Sequence, residues 1–310
     1  MKKYSVVLVF FLILCTVIAL CSLPKGVVKN TESVEDSGSS EDVLRVSYLD
    51  VGQGDATFIT FPNGQQMLVD CAVDGRILEA LGREMDFYDK FIDYLVITHP
   101  DKDHYGGCID VLRRFDVGHI VHSGVGKKSD FFDVFERVVE SEQAMYHKLV
   151  GEHVWHIAST TIHFLYPDRD LVKDYRVPGS KKDTGFNNTS LVFRLSYAGI
   201  SFLFTGDGEI ELEQYILEKY GAFLDVDILK AGHHGGADSS SSKFLDVVSP
   251  LHTIFSAGKG NHYGHPSPRI IRRVERLGSA IWRTDRQGDI LVYILSPEKY
   301  YVTSTRMVSF

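Results

Sequence analysis

Short apolar runs recur along the chain, and several of them stop abruptly at polar, glycine-flanked clusters. Residues Val43–Leu49 alternate apolar and polar, the pattern of a half-buried strand. Ala56–Phe61 and Gln66–Val69 predict two more strands, joined by a tight turn at Pro62-Asn63-Gly64. Further strands are expected over Tyr94–Thr98, His119–His122, Tyr146–Val150, Thr161–Tyr166, Ser190–Tyr197, Ile200–Phe204, Val226–Leu229 and Thr253–Ser256, with three more closing the chain. Helical periodicity predicts helices over Ile77–Met85, Gly107–Arg114, Asp130–Gln143, Ile210–Lys219 and Pro268–Leu277. A short helix capped within Ser239–Ser242 runs to Val248, and Pro167–Thr189 reads as a long polar loop, a length that is often functional. Strands interleaved with helices in this way predict two packed sheets with helices outside.

The amino terminus departs from this pattern. Lys2 and Lys3 precede Tyr4–Leu23, twenty residues without a charge. That length spans a bilayer as a helix, and the flanking lysines predict an inside amino terminus with the rest exported. A cleaved signal peptide begins the same way. The long apolar run and the absence of a small-x-small cleavage site favour a retained anchor over 1–23. Residues 24–42 form an acidic, serine-rich linker that buries too little to order itself. Residues 43–310 are expected to fold as one domain, holding only Cys71 and Cys108. One disulfide is open to them, but two cysteines are not a framework, and the favoured reading of each is a small packed apolar residue. The formal net charge of −8 argues against a nonspecific phosphate binder. No protein partner is evident.

The chemistry concentrates at strand ends. The run Leu95-Val96-Ile97-Thr98-His99-Pro100-Asp101-Lys102-Asp103-His104-Tyr105-Gly106-Gly107 places four metal-ligand residues within six positions after a buried strand. Histidine with carboxylate suits zinc, manganese or iron. Pro100 biases His99 toward an extended backbone, so the ligand run is expected as a loop and not a helical turn. Asp207, His233/His234 and His262/His265 stand at three further strand ends, and the turn Asp50–Asp55 adds carboxylates. A catalytic metal needs several ligands on rigid elements and an open position.

These residues carry a resemblance. His99-Pro100-Asp101-x-Asp103-His104-x-Gly106-Gly107 resembles the second motif of the metallo-β-lactamase superfamily, with Asp101 where a histidine is usual. Together with Asp50-Val51-Gly52-Gln53-Gly54-Asp55, Thr205-Gly206-Asp207, Lys230-Ala231-Gly232-His233-His234-Gly235 and Asn261-x-Tyr263-Gly264-His265-Pro266, it resembles the extracellular hydrolase-like domain of the ComEC competence family. The likeness runs from about Leu44 to Val292. It implies an α/β fold, the four-layer αββα sandwich, with a divalent metal site of one or two ions, zinc or manganese. It further implies that His99 and Asp101 hold one metal, that Asp103, His104 and His233 hold the other, and that Asp207 bridges. His234 is left to support a ligand or to donate a proton, and Asp55 to accept hydrogen bonds from site histidines. Asn187-Asn188-Thr189-Ser190 stands where the superfamily has its third-motif histidine, which weakens the first metal position or makes it prefer a harder ion.

The expected activity is hydrolysis of a phosphodiester by water activated at the metal site. Asp103 would orient that water; Lys230 or His265 would stabilise a phosphoryl oxygen or donate the leaving-group proton. Nucleic acid or a small cell-surface phosphodiester is the expected substrate, with the membrane contacted through the amino-terminal segment. His262 reads as a surface histidine. The competing reading is a non-catalytic, anchored module that captures metal or ligand.

Overall fold

The computed structural model describes residues 43–180, 185–297 and 299–306, so the expected anchor and linker lie outside the described residues. Eight strands form one sheet in the spatial order β15 (Lys299–Ser304), β14 (Ile290–Ser296), β1 (Leu44–Tyr48), β2 (Thr57–Thr60), β3 (Gln66–Val69), β4 (Phe91–Ile97), β5 (Asp116–His122) and β6 (Met145–Lys148). Seven form the other, in the order β13 (Ala280–Arg283), β12 (His252–Phe255), β11 (Ile228–Lys230), β10 (Ile200–Phe204), β9 (Val192–Tyr197), β8 (Thr160–Tyr166) and β7 (His153–Ile157). Both sheets are mixed. The strands β3 to β6 run parallel, as do β10 to β13.

Three apolar clusters lie between four layers. The central one packs Val46, Ile59 and Val96 of the first sheet against Phe193, Phe202 and Ile254 of the second. The outer clusters bury the helices. Ile77 of α1 (Arg76–Glu84), Cys108 of α3 (Cys108–Leu112) and Phe132 of α4 (Asp130–Ser141) cover the first sheet. Leu212 of α5 (Ile210–Tyr220), Phe244 of α6 (Ser242–Val248) and Ile270 of α7 (Pro268–Leu277) cover the second. The expected αββα sandwich is therefore present. In such a fold the carboxyl ends of parallel strands are where sites form. Here β3, β4, β10 and β11 deliver their polar followers to one edge.

Three expectations need correction. Asp103 and His104 lie in a helical turn, α2 (Lys102–Tyr105), because the bias imposed by Pro100 reaches only His99 and Asp101 already starts the turn. Cys71 and Cys108 form a disulfide instead of packing as separate thiols. They are 37 residues apart in sequence, but the end of β3 and the start of α3 bring their Cα atoms to 5.1 Å. Strand β7 was not expected, since it is a short edge strand whose residues alternate between exposed and half-buried positions. No helix among the described residues is long and apolar enough to cross a membrane.

Candidate metal centre

The centre of the site is one carboxylate oxygen. Asp207 Oδ2 lies 3.2 Å from His104 Nε2, 3.4 Å from His234 Nε2 and 4.0 Å from the Nε2 atoms of His99 and His233. Asp207 follows β10 through Gly206 and is buried; its backbone N–H donates to Ser190 Oγ at 3.0 Å. Asp103 Oδ2 reaches His234 Nε2 at 3.3 Å, and Asp101 Oδ2 reaches His99 Nε2 at 3.7 Å. Ligand atoms of His99, His104 and Asp207 lie within 4.8 Å of one another, as do those of Asp103, His104 and His234, so the two groups share His104.

Each ring is turned by a bond on its far nitrogen. His104 Nδ1 donates to Asp70 Oδ2 at 2.8 Å, and Asp70 is itself held by the N–H and hydroxyl of Thr98, both at 2.8 Å. His234 Nδ1 lies 2.9 Å from Asp55 Oδ1, while the other oxygen of Asp55 pairs with Lys230 Nζ at 2.7 Å. His233 Nδ1 lies 2.9 Å from Asp238 Oδ1. Asp70, His233 and His234 have φ of 60°, 46° and 53°, a left-handed backbone that L-residues adopt at a cost of order 1–3 kcal/mol. The surrounding bonds impose it, and it aims the consecutive rings of His233 and His234 from one short turn. Gly54 serves the same packing: a Cβ there would sit 1.9 Å from the Asp103 carbonyl oxygen.

The residues fit a divalent cation. Of the buried side-chain polar atoms without a hydrogen-bond partner among the described residues, four stand at this site: His99 Nε2, His104 Nε2, His234 Nε2 and Asp207 Oδ1. Orphaned buried polar atoms are rare and need an explanation. These four belong to residues gathered round one point, and imidazole with carboxylate is a donor set for zinc or manganese. The electrostatics agree. Burial alone would raise the Asp207 carboxyl, but His104 and His234 outweigh it and hold it well below the ordinary range. Burial alone would lower the pKa of His234, yet Asp207 and Asp55 push it up to about 10. His104 is likewise raised well above its ordinary value, with Asp207 and Asp70 overcoming burial. The cage holds protons tightly where a cation would replace them.

The expected residues distribute unevenly. His99, Asp101, Asp103, His104 and Asp207 come together as ligand-type groups. The position beside Asp103 and His104, assigned to His233 by motif, is filled by His234; His233 turns instead toward Asn187, Glu209 and Asp238. Lys230 is buried and spends its ammonium on Asp55 and on the Ala231 carbonyl at 2.9 Å, so it offers no free face to a substrate. His265 stands at the rim, its ring 5.2 Å from that of His233. Burial, with His233 and His234 nearby, lowers its pKa. His262 is exposed, as expected. Asn187, at the third-motif position, donates to Glu209 Oε1 at 2.8 Å and lies 3.5 Å from His233 Nε2. Sequence reasoning passed over Asp70, Thr98 and Lys127. The last pairs with Asp101 Oδ1 at 2.5 Å. The signal for Asp70 was available: a carboxylate directly after a buried strand.

Comparison with known proteins identifies the family and the fold. The sequence profile of the Metallo-beta-lactamase superfamily matches residues 49–259. The chain is 28% identical to ComE operon protein 3 of Bacillus subtilis over 272 residues, covering 79% of this chain and 32% of that protein. It is 28% identical to competence protein ComA of Neisseria gonorrhoeae over 250 residues, 80% of this chain and 32% of that one. The chain thus spans about a third of the length of these relatives. Among solved structures, the metallo-beta-lactamase fold protein YhfI from Bacillus subtilis superposes with a TM-score of 0.53, at 10% identity, over 82% of this chain and 100% of that one. That likeness concerns the fold.

Proposed function

The chain belongs to the metallo-beta-lactamase superfamily, and from that premise we propose that it is a divalent-metal phosphodiesterase, with nucleic acid as its substrate class, acting on the outer face of the cell membrane. The observation that carries the reading is the convergence on Asp207 Oδ2 of four imidazole nitrogens within 4.0 Å. The overlapping ligand groups round that oxygen suit one or two cations.

His99, Asp101 and Asp207 would hold one cation, and Asp103, His104, His234 and Asp207 the other. When bound, zinc or manganese supplies Lewis-acid polarisation of a phosphoryl oxygen and lowers the pKa of water. The protein's own residues do the rest. Asp70 and Asp55 fix the rings of His104 and His234 so that Nε2 faces the centre. Asp103 stands beside His234 where it can accept a proton from, and orient, the attacking water. His265, kept neutral by its lowered pKa, presents an imidazole N–H to the leaving oxygen. Lys127 neutralises Asp101 and biases that position toward its second oxygen. The carboxylate at Asp101 and the amide at Asn187, where the superfamily has histidines, favour a harder ion than a three-histidine site would.

The disulfide Cys71–Cys108 supports an exported domain, since disulfides persist in oxidising compartments. The uncharged run Tyr4–Leu23 supports attachment to the membrane. The test is a panel of single-stranded DNA, double-stranded DNA, RNA and bis-p-nitrophenyl phosphate, each with zinc and with manganese. Turnover of diesters with either metal is expected. Stoichiometric metal without turnover of any of them would replace this reading with a non-catalytic metal-binding module.

A further inference from the structure

Helix α7 carries four arginines on one stripe. Arg269, Arg272, Arg273 and Arg276 stand at i, i+3, i+4 and i+7, while Ile270 and Val274 are buried against the second sheet. Arg269, Arg272 and Arg276 are exposed, and Arg273 is half-buried. None of the four makes an ion pair among the described residues, not even with Glu275, the one carboxylate of the helix. This is a concentration of unneutralised positive charge on a chain whose formal net charge is −8.

The stripe works against its own helix. Like charges three and four residues apart repel. Burial, with Arg269 and Arg276 nearby, lowers the Arg273 pKa against the pull of buried Glu213. Arg269 stands in the first turn, where the helix dipole disfavours a cation and no acid offsets it. Helix stability does not account for this arrangement, and its position points to a use. The N–H of Ser267, the residue that caps α7, donates to the Gly235 carbonyl at 2.9 Å, one residue beyond His234. Arg273 Nη1 donates to the Ser240 carbonyl at 3.0 Å, two residues beyond Asp238, which holds His233. The stripe therefore begins beside the metal-centre turn and leads away from it, with Arg269 to Arg276 covering about 10 Å of helix axis.

We propose that the arginine stripe of α7 is a track for the phosphate backbone of a nucleic-acid substrate, holding the strand on one side of the bond cleaved at the metal centre. The proposal rests on the phosphodiesterase reading and adds to it a preference for a polymer over a small diester. Arginine suits the task, since its planar fork pairs with phosphate oxygens and stays charged at every working pH. Backbone contacts carry no base information, so the track implies binding that is indifferent to sequence and sensitive to salt. An anionic lipid surface would meet the same charge, but it gives no reason for the stripe to start beside the metal centre.

The test uses the full chain loaded with zinc or manganese and the variant carrying Arg269→Gln, Arg272→Gln and Arg276→Gln, with circular dichroism to verify the fold. Arg273 is kept because it ties α7 to Ser240. On a labelled oligothymidylate of about twenty nucleotides, the triple variant is expected to show a KM at least about tenfold higher near 0.1 M salt and a log–log salt slope smaller by about 2, at roughly 0.7 per phosphate contact on a single strand. The matching triple lysine variant keeps the charge and should keep the slope. Kinetics on bis-p-nitrophenyl phosphate, too short to reach from the metal centre along α7, should move far less. An unchanged oligonucleotide KM and slope, or an equal loss on both substrates, would overturn the proposal. So would weaker retention on phosphatidylglycerol vesicles beside unaltered oligonucleotide kinetics, which would assign the stripe to lipid. If no diester turns over with either metal, the hydrolase reading fails, and fluorescence anisotropy of the same oligonucleotide decides the stripe. Binding by the wild type that weakens in the glutamine variant, with the smaller slope, upholds the track. No binding, or binding of equal strength and slope, refutes it.

Discussion

His104 Nδ1 lies 2.8 Å from Asp70 Oδ2, and that bond decides which nitrogen of the ring faces Asp207. A ring free to flip would present either nitrogen. Anchored, it presents Nε2 at 3.2 Å from the central carboxylate oxygen. Carboxylates that hold metal-binding histidines in this way typically matter 10–100-fold for affinity, so Asp70→Asn is expected to weaken zinc binding by about that factor. Competitive chelator titration measures it, with circular dichroism to verify the fold. Unchanged affinity in a folded variant would mean that packing alone orients His104.

The raised histidines predict how metal loading depends on pH. With His234 pushed up to about 10 and His104 raised as well, both rings carry protons at neutral pH in the apoprotein. A ligand imidazole must give its proton up, so each cation bound displaces protons. Affinity should then rise with pH across the neutral range, by about tenfold per pH unit for each proton displaced. Calorimetry in buffers of different ionisation enthalpy counts those protons. Affinity that is flat from about pH 6 to pH 9 would contradict the charge assignment.

Asp103 separates catalysis from folding. It is half-buried, sits in the short turn of α2, and faces His234 Nε2 at 3.3 Å. Asp103→Asn keeps the volume and removes the charge. It is expected to lower kcat on bis-p-nitrophenyl phosphate by at least about 10²-fold, the usual scale for losing a positioned proton acceptor. The melting temperature of the apoprotein should change little. Undiminished turnover would remove Asp103 from the mechanism.

The disulfide predicts a redox-sensitive fold. Cys71–Cys108 closes a segment of 37 residues that includes β4 and the whole His99–His104 run. Loop-closure entropy for a ring of that size corresponds to roughly 3–4 kcal/mol. Cys71→Ser with Cys108→Ser should therefore lower thermal stability by several degrees and metal affinity with it. Dithiothreitol should shift the wild type in the same direction and leave the double variant unmoved.

The sequence revealed the layers and most of the cage because both depend on local pattern. Apolar periodicity marks strands and helices wherever one face is buried, and the ligands stand directly after buried strands. What stayed illegible was relational. His233 and His234 are neighbours of identical chemistry, and only the left-handed backbone of both, after β11, decides which ring meets Asp103. Lys230 looked available at a strand end, but its partner Asp55 stands in the turn after β1, far earlier in the chain. Cys71 and Cys108 could not be paired from spacing, since nothing in the chain between them fixes where β3 ends relative to α3. Strand β7 lacked a buried face strong enough to register.

Glu213 offers a test of the fold away from the metal centre. It lies on α5, is buried, and accepts the backbone N–H groups of Ser240 and Ser241 that lead into α6. Burial raises its pKa from 4.5 to about 7, against the pull of those N–H groups and of Arg273. The sign follows from linkage. The folded pKa is above the unfolded one, so the associated stability is present in full below pH 4.5 and is lost as pH rises through about 7. The full loss corresponds to roughly 3 kcal/mol. Urea unfolding of the apoprotein from about pH 5 to pH 8 should show this decline. Glu213→Gln, which cannot ionise, should remove the Glu213 part of the slope and be the more stable form, relative to its own value at low pH, at the alkaline end. Parallel pH profiles for wild type and variant would show that Glu213 ionises at an ordinary value and that its two backbone N–H bonds offset its burial.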